Sequence, residues 1–287
     1  MTFSALLIKE LRLRLRRERT MWIIIVYILL MGFLGWFYLS RFSTINGYGP
    51  FGLANTGISL YTLLSQVQLF LILFITPAFT ATAINGEKER QTFDLLLCSR
   101  LTSFSLIAGK LVAGLTNAFM LVAAALPLFS LVFFFGGISP QQVIWALLVY
   151  ISTTVMVGSC GLLLSTLLNR PAVSTAITYM IGLAWLILPI ILYVILLTTG
   201  NNAGSNQPPT LFIWNPIIAL LSTYTVGSAF YFSFGSIHLS PWISYIVLCL
   251  TASVIFILLS MKLVRPGAST LAQRNRLLRP DKPSVMA

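Results

Sequence analysis

Residues 85–110 read NGEKERQTFDLLLCSRLTSFSLIAGK and lie between two long apolar runs. The whole chain contains six Asp and Glu residues, and three of them, Glu87, Glu89 and Asp94, fall within eight positions of this stretch. Charged side chains are costly inside hydrocarbon, so the stretch separates two membrane-embedded segments. The concentration of charge predicts a docking surface outside the bilayer.

The composition places the chain among integral membrane proteins. Hydrophobic residues make up 57% of it and charged residues 8%, with a mean hydropathy of +0.92, whereas soluble domains contain roughly 25% charged residues. Six apolar runs reach the ~20 residues that a helix needs to cross a bilayer: 21–40, 58–83, 106–135, 143–168, 173–198 and 242–264. Because each run is continuously apolar rather than alternating, the expected fold class is an all-α membrane protein with six transmembrane helices.

The 18 Lys and Arg residues are distributed unevenly between the two sides of this bundle. Seventeen fall before span 1, between spans 2 and 3 or in the first residues of span 3, after span 4 or at the C-terminal end, and only Arg41 falls on the other side. Since cytoplasmic loops carry the excess of Lys and Arg, both termini and the segment 85–105 are predicted to be cytoplasmic. The net charge of +12 is therefore a topology signal and not a sign of nucleic-acid binding, because no folded basic domain presents it.

The connection 200–241 leaves two topologies open. It has no Lys or Arg, and its part from Leu211 to Phe234 is uncharged and long enough to form a seventh crossing. A seventh crossing would place the basic C-terminal tail outside and would put Asn215 and Pro216 in lipid. We therefore expect an external re-entrant element, which dips into the membrane and is buried against other helices.

The two ends of the chain are predicted to lie on the cytoplasmic side. In residues 1–20, Phe3, Leu7, Leu11 and Leu15 recur every four residues among arginines. This spacing favours an interfacial amphipathic helix in contact with anionic membrane lipids over the isolated strand that the Leu-Arg alternation also fits. Residues 265–287 form a basic tail without a sustained apolar face.

No group of residues predicts catalysis, a metal site or a cofactor on this chain. The three cysteines are far apart in sequence and form no CxxC pair: Cys98, Cys160 and Cys249. His238 has no carboxylate near it, and Gly109-Lys110 is followed by Leu111 where a phosphate-binding loop requires Ser or Thr. The middle of the spans also contains no Asp, Glu, Arg or His, so any energy for uphill transport is expected to enter through the cytoplasmic segment.

Residues 87–97, EKERQTFDLLL, followed by Gly109 and Lys110, resemble the cytoplasmic signature of ABC-2 type transporter permeases. The resemblance extends to the interfacial helix, the six spans with both termini inside, and the external re-entrant element before span 6. It implies the membrane-spanning permease subunit of an ATP-binding cassette exporter, located in the cytoplasmic membrane of a prokaryote. ATP and Mg²⁺ would be bound by a separate ATPase subunit, in two copies.

The same resemblance assigns ATPase coupling to a cytoplasmic coupling helix within the segment 85–105. The residues that it implies are Glu87, Lys88, Glu89, Arg90, Thr92, Asp94, Leu96 and Leu97. Their spacing fits that role, because Glu87 and Arg90 are at i,i+3 and Arg90 and Asp94 at i,i+4 on one helix. The alternative is a solvated loop whose charges only prevent insertion into the membrane.

The transport path is expected between two permease copies, in a homodimer or beside a similar permease. Gln66, Gln68 and Asn117 either line this path or bind neighbouring helices, and interhelical hydrogen bonding is the commoner use of such side chains. Small residues are expected to permit close helix packing at Gly32, Gly35, Gly158, Gly161 and Ser165. A membrane scaffold or assembly factor without transport is the alternative function, and the sequence does not identify a cargo.

Overall fold

The computed structural model describes residues 18–42, 50–89, 91, 103–198, 214–224, 232–234 and 237–264. The elements, in chain order, are α1 (Glu18–Phe42), α2 (Pro50–Thr80), α3 (Asn85–Glu89), α4 (Ser103–Phe135), α5 (Pro140–Leu167), α6 (Pro171–Thr198), α7 (Pro216–Tyr224), β1 (Phe232–Phe234), β2 (Ile237–Leu239) and α8 (Pro241–Val264). The predicted basic tail and all but the last residues of the predicted interfacial helix lie outside the described residues.

Six of the helices in the described part of the chain are long and apolar enough to cross a membrane: α1, α2, α4, α5, α6 and α8. The prediction of a helical multi-pass protein with six spans is confirmed. Each of the six contains an 18-residue stretch with a mean hydropathy of at least 2.0, so each can be surrounded by hydrocarbon.

Prolines set where most of the helices begin. Pro50, Pro140, Pro171, Pro216 and Pro241 each occupy the first position of a helix, where the missing N–H costs nothing and the fixed φ favours the helix. The start of α5 is also capped by Ser139, whose hydroxyl accepts from the Gln142 N–H at 3.4 Å while the Gln142 side chain accepts from the Ser139 N–H at 2.8 Å. This reciprocal capping box fixes the first residue of the helix.

The centre of the bundle is formed by α2 and α5. In these two helices 56% of the most apolar stretch is buried, against 11% in α1 and 17% in α6. The core includes the side chains of Tyr61, Phe129, Tyr150 and Tyr245. The outer faces of α1 and α6 carry exposed apolar side chains such as Trp36 and Leu188, as expected for helices that face lipid.

Tyrosine hydroxyls connect neighbouring helices across the bundle. Pairs of this kind among the described residues include Tyr27 to the Gln68 side chain, Tyr150 to the Ser65 carbonyl at 3.1 Å, Tyr179 to the Phe74 carbonyl at 2.8 Å, and Tyr245 with the Thr153 hydroxyl at 2.8 Å. Since water is scarce in the bilayer, hydrogen bonds between helices satisfy polar groups that would otherwise be unpaired. The sequence did not predict these pairs.

The described part of the connection before α8 contains a short helix and a hairpin. The helix α7 has nine residues, which at ~1.5 Å per residue is too short to cross a bilayer. It packs among α2, α5 and α8, with the Asn215 amide donating to the Leu186 carbonyl at 3.2 Å, midway along α6. The strands β1 and β2 pair antiparallel, Phe232 with Leu239. Within the described residues the secondary structure is thus helical apart from this hairpin, and the re-entrant character of the whole connection stays a prediction.

Candidate functional site

The charged stretch that separates spans 2 and 3 begins at the end of the bundle that we call the basic end. Here α2, α5 and α8 end, α3 follows α2, and α4 and α6 begin. These elements and the turn at residues 168–170 carry Lys88, Lys110, Arg170 and Lys262. An apolar cluster joins the termini, from Ala83, Ile84, Leu106, Ile107, Leu162 and Val264 among others. Arg41 lies at the opposite end, because α1 and α2 run antiparallel with Tyr27 bonded to Gln68 and Gly35 beside Leu60.

Two glycines of α5 bring this helix close to α2 and α4 just before the charged stretch. A Cβ atom on Gly161 would lie 2.5 Å from the Thr80 Oγ1, and one on Gly158 would lie 2.5 Å from the Leu115 Cδ2. A Cβ at these distances would force the neighbouring side chain to move, so the close packing predicted at Gly158 and Gly161 is confirmed. The same prediction is wrong at Gly32, where no atom of the described residues lies within 4 Å of the position of a Cβ.

Ser165 fastens the end of α2 to α5. Its hydroxyl accepts from the backbone N–H groups of Ile84, at 2.9 Å, and of Asn85, at 3.1 Å, and donates to the Asn85 Oδ1 at 3.0 Å. Ser165 and Asn85 are both fully buried. One hydroxyl therefore pairs two backbone donors that the turn at residues 81–84 would otherwise leave in an apolar environment.

Two lysines add further contacts to the short helix α3. The Lys88 ammonium donates to the Thr166 carbonyl, in the last turn of α5, at 2.8 Å. The Lys110 ammonium, on α4, forms an ion pair with the Glu87 carboxylate, and the two side chains are only 11% and 24% exposed. Limited exposure strengthens such a pair relative to one at the open surface. Together with the bonds of Ser165, these contacts join α3 to α2, α4 and α5, and we call this set of contacts the junction.

The helix α3 ends at Glu89 and is shorter than the predicted coupling helix. Glu89 is exposed at the last position of α3. Gln91 has a left-handed φ of 58°, which a right-handed helix cannot contain. A single helix running through residue 91 and aligning Arg90 with Asp94 is therefore wrong. The other predicted members of the segment lie outside the described residues: Arg90, Thr92, Asp94, Leu96 and Leu97.

The three polar residues predicted inside the spans are not joined to one another by a hydrogen bond. Gln68 is fully buried on α2 and accepts from the Tyr27 hydroxyl on α1, so it binds a neighbouring helix. Gln66 is half-buried on α2, and Asn117 is buried on α4. Nothing in their arrangement marks a path through the bundle.

Four residues of the site are not among the coupling residues predicted from the sequence: Asn85, Lys110, Ser165 and Thr166. Ser165 was expected only to permit close packing, and Lys110 entered only through its place in the family signature. A usable signal existed for Lys110, because a lone lysine near the start of an apolar span requires a counter-charge. The only acidic residues near it in sequence are Glu87, Glu89 and Asp94.

Comparison with known proteins identifies the family. The model of a family described as "ABC-2 family transporter protein" matches residues 7–185, more than half of the chain, including α1 to α5 and the charged stretch. No curated protein matches the chain. The family model covers the junction at the basic end together with five of the six candidate spans, at least in part. The chain therefore belongs to the ABC-2 transporter family, as a multi-pass membrane protein of the permease type.

Proposed function

We propose that this chain is the membrane-spanning subunit of an ATP-driven exporter and that a separate ATPase subunit docks on α3 and the residues that follow it. Membership of the ABC-2 family implies an ATPase partner. The direction of transport, outward, is the expectation for the family. The chain contributes the path and the conformational change, and the ATPase contributes ATP hydrolysis.

The observation that carries this proposal is the attachment of α3 to three spans. It follows α2 directly, pairs with Lys110 on α4 through Glu87, and bonds α5 through Asn85 and Lys88. A solvated loop would need none of these contacts. A helix fixed in this way cannot be displaced without moving the ends of the spans, so movement of a bound ATPase is transmitted to the bundle.

In this proposal the chain has no catalytic role of its own. ATP and Mg²⁺ bind the partner, whose phosphate-binding loop holds them through a Gly-rich backbone, a Lys and a Ser or Thr. Two ATPase copies act below two permeases, either two copies of this chain or this chain and a similar one. The excess of Lys and Arg at the basic end supports a cytoplasmic location for that end, and the proposed membrane is the cytoplasmic (inner) membrane of a prokaryote, as the family resemblance implies.

Affinity purification from the native membrane in mild detergent tests the proposal. The wild-type chain is expected to recover an ATPase that carries the phosphate-binding loop G-x-x-x-x-G-K-[ST]. Glu89→Lys is expected to recover much less of it, because Glu89 is exposed at the end of α3. Lys262→Glu, which reverses another exposed charge at the basic end, is the matched control. Recovery of no ATPase with the wild type would favour a scaffold instead.

Glu89 is a sharper choice for this experiment than Glu87. Reversing Glu87 would place two positive charges together at Lys110 and would damage the junction itself. A loss of ATPase binding in such a variant could then follow from local unfolding. Glu89 forms no ion pair with any residue in the described part of the chain, so its reversal leaves the junction intact.

A further inference from the structure

A groove opens at the basic end beside α3, with a volume of ≈ 740 Å³. Two segments that are distant in sequence form its walls. One wall consists of Lys88 and Glu89, at the end of α3, and the other of Asn169, Arg170, Pro171 and Ala172, at the turn from α5 to α6. The residues of the second wall lie outside the charged stretch 85–110, and none of them is among the predicted coupling residues.

The two walls are held together as one unit. Lys88, on the first wall, donates to the carbonyl of Thr166, which lies three residues before the second wall. Ser165, next to Thr166, bonds Asn85 on the α3 side. Because these bonds link the walls at their base, a partner seated in the groove would contact both walls in a fixed relation to each other.

The exposed charges on the two walls of the groove are opposite in sign. Glu89 and Arg170 are exposed, and in the described part of the chain neither forms an ion pair. The Lys88 ammonium, on the same wall as Glu89, is partly buried and donates to the Thr166 carbonyl, so Glu89 and Arg170 are the exposed charges that the groove offers to a partner. A small anion such as a lipid phosphate would meet the Glu89 carboxylate as well as Arg170, which weakens its binding. A protein surface with a carboxylate facing Arg170 and a cation facing Glu89 fits both walls.

We propose that the turn 168–172 is the second half of the ATPase docking surface and that Arg170 selects the ATPase by pairing with a carboxylate on it. This inference rests on the proposed function, since it takes the partner of α3 as the occupant of the groove. It adds a contact to α6, which begins at Pro171, directly after Arg170. The ATPase thereby acts on α6 as well as on α2, α4 and α5.

Site-specific photo-crosslinking tests this surface separately from α3. The crosslinking amino acid p-benzoylphenylalanine replaces Arg170, Glu89 or, as control, Lys262, in the full chain expressed in its native membrane. Mass spectrometry then identifies the adducts. We expect the same ATPase, with its phosphate-binding loop, from positions 170 and 89 and none from position 262. Adducts from position 89 alone would overturn this inference and leave the proposed function standing. Adducts from neither would overturn both.

A charge exchange tests the selecting role of Arg170. The probe is the crosslinked ATPase, expressed from its sequenced gene and bound to the chain in nanodiscs. Arg170→Glu is expected to weaken binding roughly five- to tenfold, because an exposed attractive pair becomes repulsive, and the effect should shrink at high salt. Arg170→Lys is expected to bind within about twofold of wild type, since it keeps the charge, and an exposed pair gains little from geometry beyond that charge. Equal binding of the Arg170→Glu and wild-type chains would overturn the inference.

A compensating substitution in the ATPase distinguishes the loss of a specific ion pair from damage to the fold of this chain. Replacing the ATPase carboxylate opposite position 170 by Lys is expected to restore binding to the Arg170→Glu chain and to weaken binding to the wild type. A variant that had merely misfolded would not recover with a changed partner. Absence of rescue with every acidic residue that the crosslink places near position 170 would contradict a selecting role.

Discussion

The Ser165 hydroxyl and the Asn85 side chain are 80 residues apart in sequence and 3.0 Å apart in the fold. The same hydroxyl also accepts from the backbone N–H of Asn85, so the two residues are joined by two hydrogen bonds. This contact fastens the start of α3 to the end of α5 and makes the charged stretch an extension of the bundle.

Ser165→Ala should destabilise the protein. It leaves the buried N–H groups of Ile84 and Asn85 without their acceptor, and a buried group without a partner costs about 1–3 kcal/mol. The measurement is the thermal unfolding midpoint of the purified chain in nanodiscs. Ser130→Ala is the control, because Ser130 is exposed and bonds only the Pro127 carbonyl of its own helix. Equal midpoints for the two variants would contradict the role of Ser165.

Glu87 and Lys110 should behave as a coupled pair. Glu87→Gln or Lys110→Met leaves the other charge in a site that is only partly exposed, and each single change is expected to cost about 1–2 kcal/mol after allowing for that exposure. The double variant should lose less than the sum of the two, and unfolding measured for all four chains gives the coupling energy. Strictly additive losses would show that the two side chains do not interact.

Gly161→Ala should also destabilise the protein, because its Cβ would lie 2.5 Å from the Thr80 Oγ1 and 3.3 Å from the Ala81 N. Overpacking of this kind costs about 1–3 kcal/mol. Gly182→Ala is a matched change in α6 that brings the new Cβ within 4 Å of no atom in the part of the chain that the structure describes, and it should be neutral or stabilise the helix by up to ~1 kcal/mol. The unfolding midpoints of the two variants should therefore move in different directions, and a tolerated Gly161→Ala would contradict the close approach of α2 and α5.

The orientation of the bundle can be read from labelling by a membrane-impermeant maleimide. In a chain whose native cysteines are replaced by Ala, Arg41→Cys should react in intact cells, whereas Lys262→Cys should react only after permeabilisation. The physical reason is the excess of Lys and Arg at the basic end, which the positive-inside rule places in the cytoplasm. Labelling of Lys262→Cys in intact cells would place the basic end outside and would rule out docking of a cytoplasmic ATPase there.

The spans could be predicted because each is a continuous apolar run, and continuous apolarity alone requires a helix in a bilayer. The junction could not be predicted, because Glu87 and Lys110 are 23 residues apart in sequence and Asn85 and Ser165 are 80 residues apart. Such pairs depend on how α2 packs on α5, which local spacing does not encode. The left-handed φ of Gln91 was also not predictable, because Gln is a good helix former and its identity gives no sign of a break.

Binding of the purified ATPase to this chain in nanodiscs tests the central claim most directly. The account predicts that the wild type binds, that Glu89→Lys binds roughly five- to tenfold more weakly because a charge in the docking surface is reversed, and that Lys262→Glu binds like the wild type. Binding that is absent with the wild type, or unchanged by Glu89→Lys, would contradict docking of an ATPase on α3.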